Sequence, residues 1–185
     1  MDGELDRAEA AFRQAAHLSD AEDGIIALGR CAVAAHQGDH EARLSAADEG
    51  LDADDIGWST RVLLHQEKIA ALDALGRAAD ALEARIAFAE WDDDNLNAHY
   101  EVAWIYLTNA WIAQAAQWLR AGAEVGLGSE DDEDDEDDED GEDDEDGAAT
   151  LKRRLENLVG GLRPALEEAG LHAELKALRA ALGLG

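Results

Sequence analysis

Few side chains in this sequence are of a type and spacing that could do chemistry. There are six histidines, His17, His36, His40, His65, His99 and His172, and only His36 and His40 stand four apart, with Asp39 beside them. On one uninterrupted helix two such histidines share a face and can hold a metal. Here Gly38 falls between them at an expected turn, so no metal site is expected. The carboxylate runs Asp54-Asp55 and Asp92-Asp93-Asp94 could shuttle protons only where their surroundings perturb them. They lie in acidic loops and are expected to be solvated. Cys31, among small residues, is expected to pack rather than react. No nucleophile motif, glycine-rich phosphate loop or zinc spacing is visible, and neither catalysis nor a cofactor is expected.

The densest group of ligand-type side chains is Glu130–Asp146, with 16 acids among 17 residues. Aligning Gly141 with the invariant glycine of a twelve-residue calcium loop puts Glu136, Asp138 and Asp140 at early ligand places. The bidentate glutamate then falls on Gly147, so the loop fails. A run of this composition cannot bury apolar surface and is expected to be disordered over residues 129–147. Two uses fit it: a solvated spacer that offsets Lys152, Arg153 and Arg154 just downstream, or a bait for basic proteins acting within about 8 Å at physiological salt.

Charge narrows the partners further. The chain carries −29 overall, and residues 1–128 hold 24 acids against 9 bases. Such a surface repels phosphate backbones and anionic membranes, so neither nucleic acid nor lipid is an expected partner. A basic protein would be attracted. One cysteine allows no internal disulfide, the acidic start has no signal-peptide character, and no uncharged apolar run spans a membrane, so a cytoplasmic location is expected.

The elements that must position these residues are helical. Alanine is roughly one residue in five, aromatics are 5%, and Pro164 is the single proline. Small turn residues recur at Gly3, Gly38, Gly76 and Ala110, with an amphipathic helix after each and another before the last three. Periods of 34 to 38 residues with two helices per unit indicate a helical solenoid.

The last unit resembles a tetratricopeptide repeat. His99, Val102, Ala103 and Tyr106 stand in the W-x2-L-G-x2-Y places, and Ala115 and Leu119 in the A-x3-F places. Ala8 and Phe12, with Ala15 next on the same face, repeat the second half of the pattern. The resemblance covers roughly residues 3–127. The terminal proline of the motif is missing, and Arg43 and Arg85 fall where apolar residues are expected. The chain opens on the second helix of a unit, so the array begins with a half-unit or lacks something upstream.

Beyond the acidic run, Thr150 is the expected N-cap of a helix striped by Leu151, Leu155, Leu158 and Leu162. Gly160-Gly161 are expected to end it and Pro164 to open the next, striped by Leu171, Leu175, Leu178 and Leu182. This hairpin either caps the array or serves self-association through residues 151–182. The expected architecture is thus an all-α solenoid of antiparallel helix pairs over 1–128, a disordered acidic linker over 129–147, and a helical hairpin over 148–185.

In tetratricopeptide arrays the first helix of each pair lines a concave groove that holds a peptide. The resemblance therefore implies a binding surface of Leu28, Ala32, Ala35, Gln66, Ala70, Asp73, Asn97, Tyr100, Trp104 and Thr108. Tyr100 and Trp104 would be its aromatic anchors, unless the hairpin buries Trp104. The function expected is a non-catalytic adaptor, scaffold or co-chaperone. The alternative is an acidic chaperone that sequesters a basic protein through its acidic run.

Overall fold

In a computed structural model the described residues are 23–54, 56–125 and 143–184, together with Arg7, Ala10, Ala11 and Gln14, which are helical. The copy of the repeat carried by Ala8, Phe12 and Ala15 lies outside them, as do residues 126–142, which hold most of the acidic run. Among the described residues every regular element is an α-helix. These are α1 (Asp23–Gln37), α2 (His40–Leu51), α3 (Trp58–Ala74), α4 (Ala78–Trp91), α5 (Leu96–Thr108), α6 (Ile112–Glu124), α7 (Asp143–Glu168) and α8 (His172–Ala181). No described helix is long and apolar enough to cross a membrane.

One turn joins the two helices of every pair. Gly38, Gly76, Ala110 and Gly170 all take the left-handed conformation, with φ of 72°, 70°, 59° and 74°. At each, the amide after the turn residue reaches back five residues: Asp39 to the Ala34 carbonyl, Arg77 to Leu72, Trp111 to Tyr106 and Leu171 to Leu166, at 2.8–3.0 Å. The turn residue's own amide reaches back three. This pair of bonds satisfies carbonyls that a helix end would otherwise leave orphaned. Two helix starts are fixed by side chains, those of α2 and α5: Asp39 accepts from the Ala42 amide at 3.0 Å and Asn95 from Ala98 at 3.2 Å.

The fourth turn corrects the expected C-terminal hairpin. The helix does not begin at Thr150 or stop at Gly160-Gly161; it runs unbroken from Asp143 to Glu168, with Pro164 inside. Its first residues therefore belong to the acidic run. Burial overrides the local punctuation, because Leu155, Val159, Leu162 and Leu166 form one buried stripe through the glycines and the proline. Gly160 and Pro164 are exposed, so water can serve the Gly160 carbonyl that the proline leaves without a donor.

The chain divides into two compact units, Met1–Phe88 and Ala89–Gly185, with the boundary inside α4. In the first, a small core of Ala27, Cys31, Ala46, Ala47 and Leu64 is backed by Leu28, Leu51 and Ile56. Helices approach closely because Gly50 has no side chain: a Cβ there would lie 2.5 Å from that of Ala27. Around this thin core, Arg43 of α2 meets Glu67 of α3 at 2.6 Å, Asp48 meets Lys68 at 2.8 Å, Asp73 of α3 meets Arg85 of α4 at 2.6 Å, and Arg30 pairs with Glu49. Arg43 and Arg85, expected at apolar places, are thus half-buried and paired.

The second unit is leucine-rich. Ala103, Leu107, Ala115, Leu119 and Ala123 of α5 and α6 share a core with Leu155, Val159, Leu162, Leu166, Leu175, Leu178, Leu182 and Leu184. Each fully buried leucine contributes about 2 kcal/mol of hydrophobic transfer. Val102, Ala103, Ala115 and Leu119 are buried, and His99 packs on Trp118 with ring centroids 5.5 Å apart.

Candidate functional site

The shared turn supplies a register for comparing the pairs. Ten residues before it stand Leu28, Gln66, Tyr100 and Gly160; six before it, Ala32, Ala70, Trp104 and Pro164. These are the places the resemblance assigns to a groove. In the first unit α1 and α3 pack against one another. By helical spacing Leu28, Ala32 and Ala35 share one face of α1, and Gln66, Ala70 and Asp73 one face of α3. Ala32, Gln66 and Asp73 are exposed, while Leu28, Ala35 and Ala70 are half-buried, Leu28 against the small core. Asp73 is bound by Arg85 through both carboxylate oxygens, at 3.2 and 2.6 Å. That pair leaves the row mainly small and apolar.

Two residues of the row were missed. Ile25 and Leu63 stand thirteen before their turns, one helical step beyond Leu28 and Gln66, and are 50% and 48% exposed. The signal was available, since Asn97 occupies the same place on α5 and was assigned to the groove. Ile25, Leu28, Ala32 and Ala35 fall at i, i+3, i+7 and i+10, and Leu63, Gln66, Ala70 and Asp73 repeat that spacing. Large aliphatic side chains half in water at matched positions of neighbouring helices are unspent by folding.

In the second unit the corresponding column is used differently. Asn97 and Thr108 are exposed, and Thr108 turns its hydroxyl to the Ile105 carbonyl of its own helix at 2.9 Å. Tyr100 and Trp104 are half-buried against the leucine core. The Tyr100 hydroxyl donates to the Leu158 carbonyl of α7 at 3.2 Å, and burial raises its pKa. Tyr100 thus ties α5 to α7, and both rings pack on the leucine core. Arg154 of α7 donates to the Val125 and Ala123 carbonyls, setting a cation at the C-terminal end of α6, where the helix dipole favours it.

The chemistry-bearing residues resolve in structural terms. Asp39 caps α2 between an exposed His36 and a half-buried His40. Among the described residues no three histidine, cysteine or acidic side chains are placed to hold a metal ion. Cys31 is buried, its Sγ–H donating to the Arg43 carbonyl at 3.5 Å. Burial, and then the charge of Glu67, push its thiol up to about 11. Asp92 corrects an expectation: it is buried, its carboxylate accepting from the Asn95 side-chain Nδ2 at 2.7 Å, and so steadies the residue that caps α5. Asp54, Asp93 and Asp94 are exposed, and Asp55 lies outside the described residues.

Comparison of the chain with protein-family models, with curated proteins and with solved structures gave no match.

Proposed function

We propose that this protein is a non-catalytic, cytoplasmic protein-binding module, an adaptor or scaffold whose helix pairs form a tetratricopeptide-like solenoid. The observation that carries the reading is the matched exposure of Ile25 and Leu63 on the row formed by α1 and α3. The recurrence of one turn at Gly38, Gly76, Ala110 and Gly170 supports the repeat architecture. It makes α7 and α8 a fourth pair in the same register, with the acidic run as the connection that precedes it. The aliphatic row offers contact area, and the small alanines beside it let a partner backbone come close.

Affinity capture at low and high salt tests this, using the intact chain, the Ile25→Ser/Leu63→Ser variant and a chain lacking residues 129–142. A partner kept at high salt and by the deletion, but lost by the double variant, is the expected result. A partner kept by the double variant and lost with the acidic run would make the chain an acidic sequestering protein instead.

A further inference from the structure

We propose that the second unit holds a small-molecule site between α5, α6 and α7, for a compact amphiphile: an apolar body carrying one carboxylate. The inference goes beyond the protein-binding reading and does not depend on it. A cavity of about 340 Å³ opens there, a size that takes a small ligand. Leu96 at the start of α5, Val125 at the C-cap of α6 and Leu158 of α7 are its apolar walls, and the buried Gly122 also lines it. A Cβ on Gly122 would lie 3.2 Å from the Leu96 Cδ1 and 3.0 Å from the His99 Cβ. No side chain is comfortable at that position, and Leu96 stays 41% exposed. Water held against such walls is released when an apolar body takes its place.

Arg154 and Asn157, three residues apart on α7, set the polar end of the ligand. Among the described residues Arg154 is the one charged side chain that lines the cavity. Glu124 stands between Ala123 and Val125 in sequence but borders a different cavity, with Gln117 and Arg120. Arg154 uses Nη1 for both of its bonds, to the Ala123 and Val125 carbonyls. A helix end carries about half a negative charge, so the guanidinium keeps a net positive one. Its Nε–Nη2 edge is the fork that takes a carboxylate through two parallel hydrogen bonds. Asn157 adds an amide donor to the same cavity. A neutral molecule leaves that fork unmatched, and an ammonium is repelled. A phosphate's second charge meets no second cation among the described lining residues.

Nuclear magnetic resonance titration of the full chain with octanoate, octan-1-ol and octylammonium tests the proposal. Octanoate is expected to bind saturably, to shift the Arg154 Nε–Hε resonance, and to bind at least about tenfold tighter than octan-1-ol. Arg154→Met is expected to bring that ratio to about one, and Arg154→Lys to keep octanoate the better ligand. Arg154 also steadies the end of α6, but any loosening on its loss acts on both ligands and cancels in a ratio taken within one variant. Leu96→Ser/Val125→Ser is expected to weaken both ligands at least about fivefold at an unchanged ratio. Circular dichroism checks that each variant keeps its helix content. Octanoate binding that never saturates, or that the wall variant leaves unchanged, overturns the site. A ratio kept by Arg154→Met overturns the carboxylate assignment. So does octan-1-ol or octylammonium binding as tightly as octanoate.

Discussion

Among the described residues Ala110 is the one non-glycine at positive φ. A left-handed conformation costs an L-residue about 1–2 kcal/mol, part of which glycine would return as unfolded-chain entropy. Ala110→Gly is therefore expected to stabilise the protein by about 0.5–1 kcal/mol, read from the urea midpoint at unchanged slope. Cys31 provides a second check. A thiol buried and pushed up to about 11 stays protonated in the native state at pH 8. Alkylation is thus expected to proceed only as fast as the first unit opens. The sign of the linkage follows: the unfolded thiol ionises near 9 and the native one near 11. Its contribution is complete below pH 9 and falls as pH rises toward 11. Rapid alkylation of native protein would contradict both the burial and the bond to Arg43.

At the scale of elements, the three helices around Gly50 meet where there is no room for a methyl group. A Cβ on Gly50 would lie 2.5 Å from the Ala27 Cβ and 2.9 Å from both Leu64 methyls. Gly50→Ala forces α1 and α3 away from α2 and is expected to cost about 2–3 kcal/mol despite its better helix propensity. Thermal unfolding of the single variant measures it. The same reasoning explains why α7 survives its own sequence. Glycines and proline weaken a helix locally, but the buried stripe of Leu155, Val159, Leu162 and Leu166 crosses all three. Burial of those side chains outweighs the local penalties, about 1 kcal/mol for a glycine and 3 for a proline.

For the whole molecule, the placement of the core decides which pieces can stand alone. Eight of the fourteen buried residues in the second unit's core come from residues 143–184, six of them in α7 and α8. A chain ended after residue 128 leaves α5 and α6 with Leu107 and Leu119 facing water. Its circular dichroism is expected to lose more helix than the deleted segment contained, with the first unit's signal retained. Loss of only the deleted helices' share would show that α5 and α6 fold without the fourth pair.

Helix content and the turns at Gly38, Gly76 and Ala110 were legible in the sequence because each depends on local spacing and on residue size at a turn. Cys31 as a packing residue was legible for the same reason. The length of α7 was not, because glycine, proline and a capping threonine are local signals and the stripe that overrules them needs a partner surface. Nor was the fate of Tyr100 and Trp104, two aromatics one turn apart that suit a binding groove equally well until α7 supplies the Leu158 carbonyl and a leucine core. Asp92 was read as solvated because an acidic loop says nothing of what covers it. The sequence by itself determined the helices, their turns and the excess of negative charge, all properties of neighbours along the chain. Only the tertiary structure decided which apolar side chains folding consumes and which, like Ile25 and Leu63, it leaves in water, since that depends on helices distant in sequence coming into contact.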